Sequence, residues 1–272
     1  MWCGYAGLFK PLFKCYFPDY AGRIAASALL ITEPIKTINM KLTLYHLATS
    51  RSQRILWLLE EFQLAYELVV CRQNPPNAGM QQLKQHSASA KFPTLLIQAD
   101  QQQFVLSESS AIAEFLQQHL HKAPMADSAL EQQLQFSFWK NFADASFMPN
   151  LALKQIFAQI VQRTPLPLRP VSWCFKQGFN LGYLDQAIAA QLDSIEQHLS
   201  KHAWLASGSF SIADILLWFP LQACAAAHPE FMRYPHCRHY LAQIESRPAF
   251  QQALLKGQWS DAQFKQYWAK AW

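Results

Sequence analysis

No C-x-x-C pair occurs in this sequence, although it carries six cysteines: Cys3, Cys15, Cys71, Cys174, Cys224 and Cys237. Dithiol exchange is therefore disfavoured, because it needs two thiols close enough to cycle through a disulfide. The cysteines form no ligand pattern with the nine histidines, so no metal site is expected. Their wide spacing fits reduced thiols in a cytoplasm. Charge is also scarce, at 15% of residues with a formal net of +5. Without a block of Lys and Arg, or aromatic and basic residues interleaved, no nucleic-acid partner is expected. Long apolar runs are missing too. The run over residues 24–31 is broken by Ser27 and flanked by Arg23 and Thr32, far short of the roughly 20 residues of a membrane span. No A-x-A-like cleavage site follows it, which argues against a signal peptide and leaves no membrane partner in view.

What is present is apolar content, 51% of 272 residues, enough for one large domain or two ordinary ones. Residues 1–39 show no helical or strand period and are interrupted by Pro11, Pro18 and Pro34. They read as an extension, either disordered or the product of a start codon placed ahead of Met40; a genuine amphipathic or targeting segment is the rival reading. From Lys41 the pattern is legible. Leu42, Leu44 and His46 alternate with Lys41, Thr43 and Tyr45 as a strand. The polar loop Ala48-Thr49-Ser50 leads to a helix over 51–63, with apolar residues at helical spacing. A second strand over 66–71, a proline-containing loop over 73–79 and a short helix over 80–86 follow. Phe92 to Ile97 and Phe104 to Leu106 make a hairpin entered through Pro93, which suits only a strand's start or edge. Residues 107–109 then offer a helix N-cap.

Beyond Pro124 strands disappear. Helical periods over 130–162 and 171–199 flank the breaker run 164–170 and suggest an antiparallel pair. Ser211-Ile212-Ala213-Asp214 has the form of a capping box ahead of a mostly apolar helix to residue 227, the expected centre of an all-helical domain. The expected organisation is an α+β domain over 40–122, an all-α domain over 128–258 and a tail over 259–272.

The segment Leu44-Tyr45-His46-Leu47-Ala48-Thr49-Ser50-Arg51-Ser52-Gln53-Arg54 and its continuation to Glu61 resemble the first strand and helix of cytosolic glutathione transferases, a fungal and bacterial branch in particular. Lys91-Phe92-Pro93-Thr94-Leu95 resembles that family's proline segment before the third strand, Ser107-Glu108-Ser109-Ser110-Ala111-Ile112 its S-E-S-x-x-I element, and Ser211-Ile212-Ala213-Asp214 its S/T-x-A-D motif. The resemblance spans residues 41 to about 250. It implies a thioredoxin-like domain with a mixed four-stranded sheet, followed by an all-helical domain, and a homodimer. It also implies conjugation of reduced glutathione to hydrophobic electrophiles, or peroxide reduction by the same thiol. A non-catalytic binding or interaction module on the same scaffold is the alternative.

Glutathione is then the co-substrate, and its parts pair with residues carried over from the family. Pro93, cis in the family, exposes the backbone of Phe92 to the peptide's cysteinyl unit as an added strand. Ser109 and its amide, at a helix start, suit the γ-glutamyl carboxylate, Glu108 the ammonium and Lys91 the glycyl carboxylate. The catalytic need is a thiolate at neutral pH, which a hydroxyl between first strand and first helix can stabilise. Ser50 is the first choice, with Thr49 and Tyr45 behind it; Ser52 also qualifies by position. The electrophile pocket is expected from the 47–49 loop and from Phe138, Phe142, Phe147, Met148 and Trp173, though most of these aromatics are expected in the core.

Overall fold

The strand β1 (Lys41–Leu47) is buried along nearly its whole length, so the sheet it belongs to must be covered on both faces. Leu42, Leu44 and His46 point to one side and Thr43 and Tyr45 to the other, as a two-residue period requires. On the first face lies α1 (Gln53–Glu61), whose Ile55, Leu56, Leu58 and Leu59 are fully buried. On the second lies α2 (Ala78–His86), with Met80 and Leu83 packed on Tyr45. β2 (Glu67–Cys71) pairs parallel to β1; β3 (Thr94–Ala99) pairs antiparallel to β1 and to β4 (Gln102–Ser107), giving the order β2-β1-β3-β4. With α3 (Ser109–Leu116) this is the expected thioredoxin-like unit. The computed structural model describes residues 40–73, 75–121, 129–206 and 208–272. The extension expected over 1–39 lies outside them, as does nearly all of the expected boundary near 121–127.

Helices and turns make up the described residues from Leu130 on. α4 (Leu130–Phe142) runs into α5 (Met148–Arg163) through a π-turn, Ala143–Phe147. α6 (Arg169–Phe179) runs into α7 (Asp185–Leu199) through another, Asn180–Leu184. Each helix expected from periodicity is thus a long rod with one widened turn, and such a turn accommodates an extra residue. The proline run between them ends in the 3-10 turn Leu166–Leu168.

α8 (Ile212–Ala227) is the buried axis of this half; α9 (Pro235–Glu245) packs on it, and α10 (Pro248–Lys256) packs against α1 and meets α8 where Phe250 touches Trp218. Aromatic rings join the halves: Trp57 of α1 meets Trp218 edge-on at 6.1 Å and Phe250 at 5.0 Å, geometry that adds attraction beyond area burial.

Residues 259–272, expected as a tail, instead contain α11 (Asp261–Trp268). Ser260 caps it by accepting the Gln263 N–H, and Phe264 and Trp268 bury against Phe219 of α8. The missed signals are Ser260 three residues before Gln263 and the apolar pair four residues apart.

The capping box of α8 is complete. Asp214, with no exposed surface, accepts from the N–H groups of Leu205 and Ser211 and the hydroxyls of Ser211 and Tyr240, at 2.8–3.0 Å. Burial pushes its carboxyl up to about 6, against the pull of those donors. Asp214→Asn turns an amide NH2 toward groups that must donate. A loss of about 2–4 kcal/mol is expected, read from urea unfolding. The folded carboxyl holds its proton to about pH 6, against 3.8 normally. Its contribution to stability therefore falls as pH rises from about 4 through 6, a slope the Asn variant should lack.

Candidate functional site

Between β1 and α1 the chain turns within five residues, and hydroxyls dominate the turn. Thr49 takes a φ of +53°, a left-handed conformation that is costly for a β-branched residue and persists only where surroundings enforce it. The enforcing contact is the Ser260 N–H, which donates to Thr49 Oγ1 at 3.1 Å. Ser52, fully buried at the N-cap of α1, accepts from the Leu47 N–H at 3.1 Å and lies 2.8 Å from His46 Nδ1. His46 Nε2 stands 2.9 Å from the carbonyl of Gly257. A carbonyl only accepts, so Nε2 carries the proton, and Nδ1 accepts from Ser52. Burial lowers the His46 pKa, which keeps the ring in that neutral form.

Two clefts meet at this turn. One, of about 440 Å³, is bordered by Lys91, Phe92, Pro93 and Glu108; the other, of about 470 Å³, is walled by Met148, Ala152, Ile156, Phe219 and Trp268. Leu47, Ser50, Arg51 and Gln73 line both. The first cleft is charged: Lys91 Nζ and Glu108 Oε1 stand 3.6 Å apart, both largely exposed, a pairing that costs little to exchange for a ligand's charges. Strained backbone surrounds it, with Ala90 at φ +42° and Glu108 at +76°. The second cleft is mainly apolar, with polar ends at Gln155, Gln159 and Tyr267.

Most expected site residues converge here. Ser50 lines both clefts, Thr49 the apolar one, and Lys91, Phe92, Pro93 and Glu108 the charged one; the Phe92-Pro93 bond is cis. Two do not. Tyr45 is fully buried under α2, its ring tilted against that of His86 at 6.1 Å and its hydroxyl unpartnered, because its place in the alternation of β1 points it away from the turn. Burial also raises its pKa. Ser109 is 5% exposed and accepts from Arg54 at 3.1 Å; it does not line the cleft beside Glu108. Nor does Ser109 sit outside its helix as a cap: Glu108 holds that position and makes no side-chain cap bond. Of the residues expected in the electrophile pocket, the loop residues Leu47, Ala48 and Thr49 line the second cleft, and of the helix residues expected there Met148 does so. Phe147 is in the core, while Phe138 and Trp173 are about half exposed elsewhere. Arg51 and Gln73 escaped the sequence reading. Arg51 follows Ser50 directly and was absorbed into the helix period; Gln73 stands in a loop with no pattern to mark it.

Arg54 holds this construction. Its guanidinium, 1% exposed, donates to Asp144 (2.8 Å), the Leu216 carbonyl (2.9 Å) and Ser109 Oγ, and Ser110 donates to the other oxygen of Asp144. α1, α3 and the helical domain thereby share one cation.

Comparison with known proteins agrees with the geometry. The chain matches the family "Glutathione S-transferase, N-terminal domain" over residues 49–119 and "Glutathione S-transferase, C-terminal domain" over 158–243. It is 28% identical over 210 residues to glutathione S-transferase 3 of Schizosaccharomyces pombe, covering 76% of this chain and 84% of the relative. A glutathione S-transferase structure from Actinobacillus pleuropneumoniae is similar with a TM-score of 0.60 and 25% identity, covering 80% of this chain and 93% of that one. A glutathione transferase from Pseudomonas putida, solved with glutathione disulfide bound, shares the fold with a TM-score of 0.62 and 22% identity over 79% of this chain and 90% of its own.

Arg54→Met keeps the aliphatic stem and deletes the charge. Asp144 and the Leu216 carbonyl then lose their donor, and a loss of about 3–5 kcal/mol is expected, measured by chemical denaturation.

Proposed function

This chain belongs to the glutathione S-transferase family, and we propose that it conjugates reduced glutathione to apolar electrophiles at the junction of the two clefts. One observation carries the reading: the charges beside the cis bond match the peptide's. Glutathione has two carboxylates and one ammonium, and the charged cleft offers two cations, Arg51 and Lys91, and one carboxylate, Glu108. Glu108 takes the ammonium, and Lys91 and Arg51 the carboxylates. The cysteinyl unit runs beside Phe92 and Pro93, which brings its sulfur to the hydroxyls of the β1–α1 turn. Ser109 contributes through its place at the start of α3, its side chain being engaged by Arg54. A hydrogen bond to the charged thiolate, stronger than one to a neutral group, keeps the nucleophile ionised. The electrophile occupies the second cleft, whose Met148, Ile156, Phe219 and Trp268 favour an apolar and flat molecule.

The reading includes a second copy of the chain. α4 leaves Leu130, Leu134 and Phe138 exposed in one stripe, and the edge strand β4 leaves Phe104 and Val105 exposed; apolar surface of this kind supports association. It also includes a cytoplasmic setting, in keeping with the free thiols of Cys71, Cys174, Cys224 and Cys237. Among the described residues no helix is long and apolar enough to cross a membrane.

Titration calorimetry with reduced glutathione, and turnover of a chloronitrobenzene or cumene hydroperoxide, test the reading. Heat with turnover supports it; neither heat nor turnover overturns it. Glu108→Gln should raise the KM for glutathione about tenfold, the effect of roughly 1.4 kcal/mol of lost binding, with kcat changed less. Phe138→Glu should shift the sedimentation coefficient toward a monomer.

A further inference from the structure

We propose that the turn after α10 sets the active site from behind: Gly257 and Ser260 commit the hydroxyls of the β1–α1 loop so that Thr49, and not Ser50, presents its proton to the glutathione thiolate. The proposal rests on the glutathione reading above and specifies which group acts there.

The assignment follows from counting donors and acceptors. The Gly257 carbonyl requires the proton of His46 on Nε2, so Nδ1 must accept, and Ser52 is the hydroxyl within reach at 2.8 Å. That uses Ser52's single proton. The Leu47 carbonyl is then left to Ser50, whose hydroxyl meets it at 2.7 Å, its shortest contact. Ser50 Oγ also accepts from the Ser52 N–H at 3.2 Å. Turning the Ser50 proton to a sulfur would give up its bond to the Leu47 carbonyl and the alternative acceptor beside it, Ser52 Oγ at 2.9 Å, and a lost intramolecular hydrogen bond has a cost.

Thr49 is differently placed. Its Oγ1 accepts from the Ser260 N–H, and among the described residues no acceptor takes its own proton. It lines the apolar cleft, where sulfur must meet the electrophile. Its left-handed backbone aims the side chain there at the expense of strain, and the Ser260 amide is the contact that opposes relaxation. The end of α10, from which the turn that supplies this amide departs, is itself pinned to the start of α1. Gln53 Nε2 donates to the Ala253 carbonyl at 2.6 Å. A Cβ on Gly257 would collide with Gln53 Oε1 and that same carbonyl. Thr49 is thus assigned as a catalytic residue, and Ser260 as the residue that positions it.

The test reads the thiol pKa of bound glutathione from its thiolate ultraviolet absorbance across pH, with calorimetry confirming binding in each variant. Thr49→Val should raise that pKa by about 1–2 units, the effect of one hydrogen bond to a charged group, and Thr49→Ser should restore most of the shift. Ser50→Ala should move it less than Thr49→Val does. Ser260→Pro, which deletes the amide donor, should raise it in the same direction, and adding Thr49→Val should add little further, the signature of coupled residues. If the proline variant does not fold, faster hydrogen exchange of the Ser260 amide in Thr49→Val replaces it. A larger shift from Ser50→Ala than from Thr49→Val overturns the assignment, as does an unchanged exchange rate. Absence of binding by the wild-type chain overturns the glutathione reading itself, and the assignment with it.

Discussion

A single buried cation organises this molecule. Arg54 stands on the first helix, almost without exposed surface, and its fork is divided between a carboxylate of the helical domain, a carbonyl of that domain's central helix and the first serine of α3. A guanidinium taken from water is expensive unless every direction of its fork is met. The arrangement that satisfies it also sets α1, α3 and α8 relative to one another. Because α1 follows the hydroxyl turn and α3 follows Glu108, the spacing between that turn and Glu108 is inherited from one ion's coordination. The aromatic packing of Trp57, Trp218 and Phe250 fills the same junction without specifying direction; Arg54 supplies the direction.

The two clefts divide the chemical labour along the line between the domains. The charged one belongs to the sheet domain, and in the proposed reading its exposed, loosely paired groups take a small zwitterionic peptide. The apolar one is built largely from helices and, in the same reading, receives the electrophile. The shared residues Leu47, Ser50, Arg51 and Gln73 form the threshold at which the two substrates would meet. A loop crowded with hydroxyls suits that threshold only if surplus protons are already engaged, and the His46–Ser52–Ser50 chain engages them.

Much of this was legible in the sequence where the signal is local. The capping box of Ser211 and Asp214, the alternation of β1 and the proline entry to β3 are short-range patterns with direct physical meaning, and each stands where it was expected. What was not legible depends on faces and distances. Tyr45 lies at the right sequence position for a cleft hydroxyl, but β1 is covered on both sides and periodicity does not say which side holds the cleft. Ser109 carries the right atoms and is shielded by a cation 55 residues earlier. The final helix was hidden because eight residues with two buried aromatics make a weak periodic signal, and their role depends on α8.

The widened turn at Ala143–Phe147 carries a further consequence. Asp144 lies inside it, with its carboxylate on Arg54 and Ser110. Removing one residue there would leave a perfectly good α-helix and would swing everything C-terminal to it by about 100° about the axis. The long rods of this domain therefore keep time by residue number as well as by residue type. Natural variation in length should be concentrated in its connecting loops, where no phase has to be maintained.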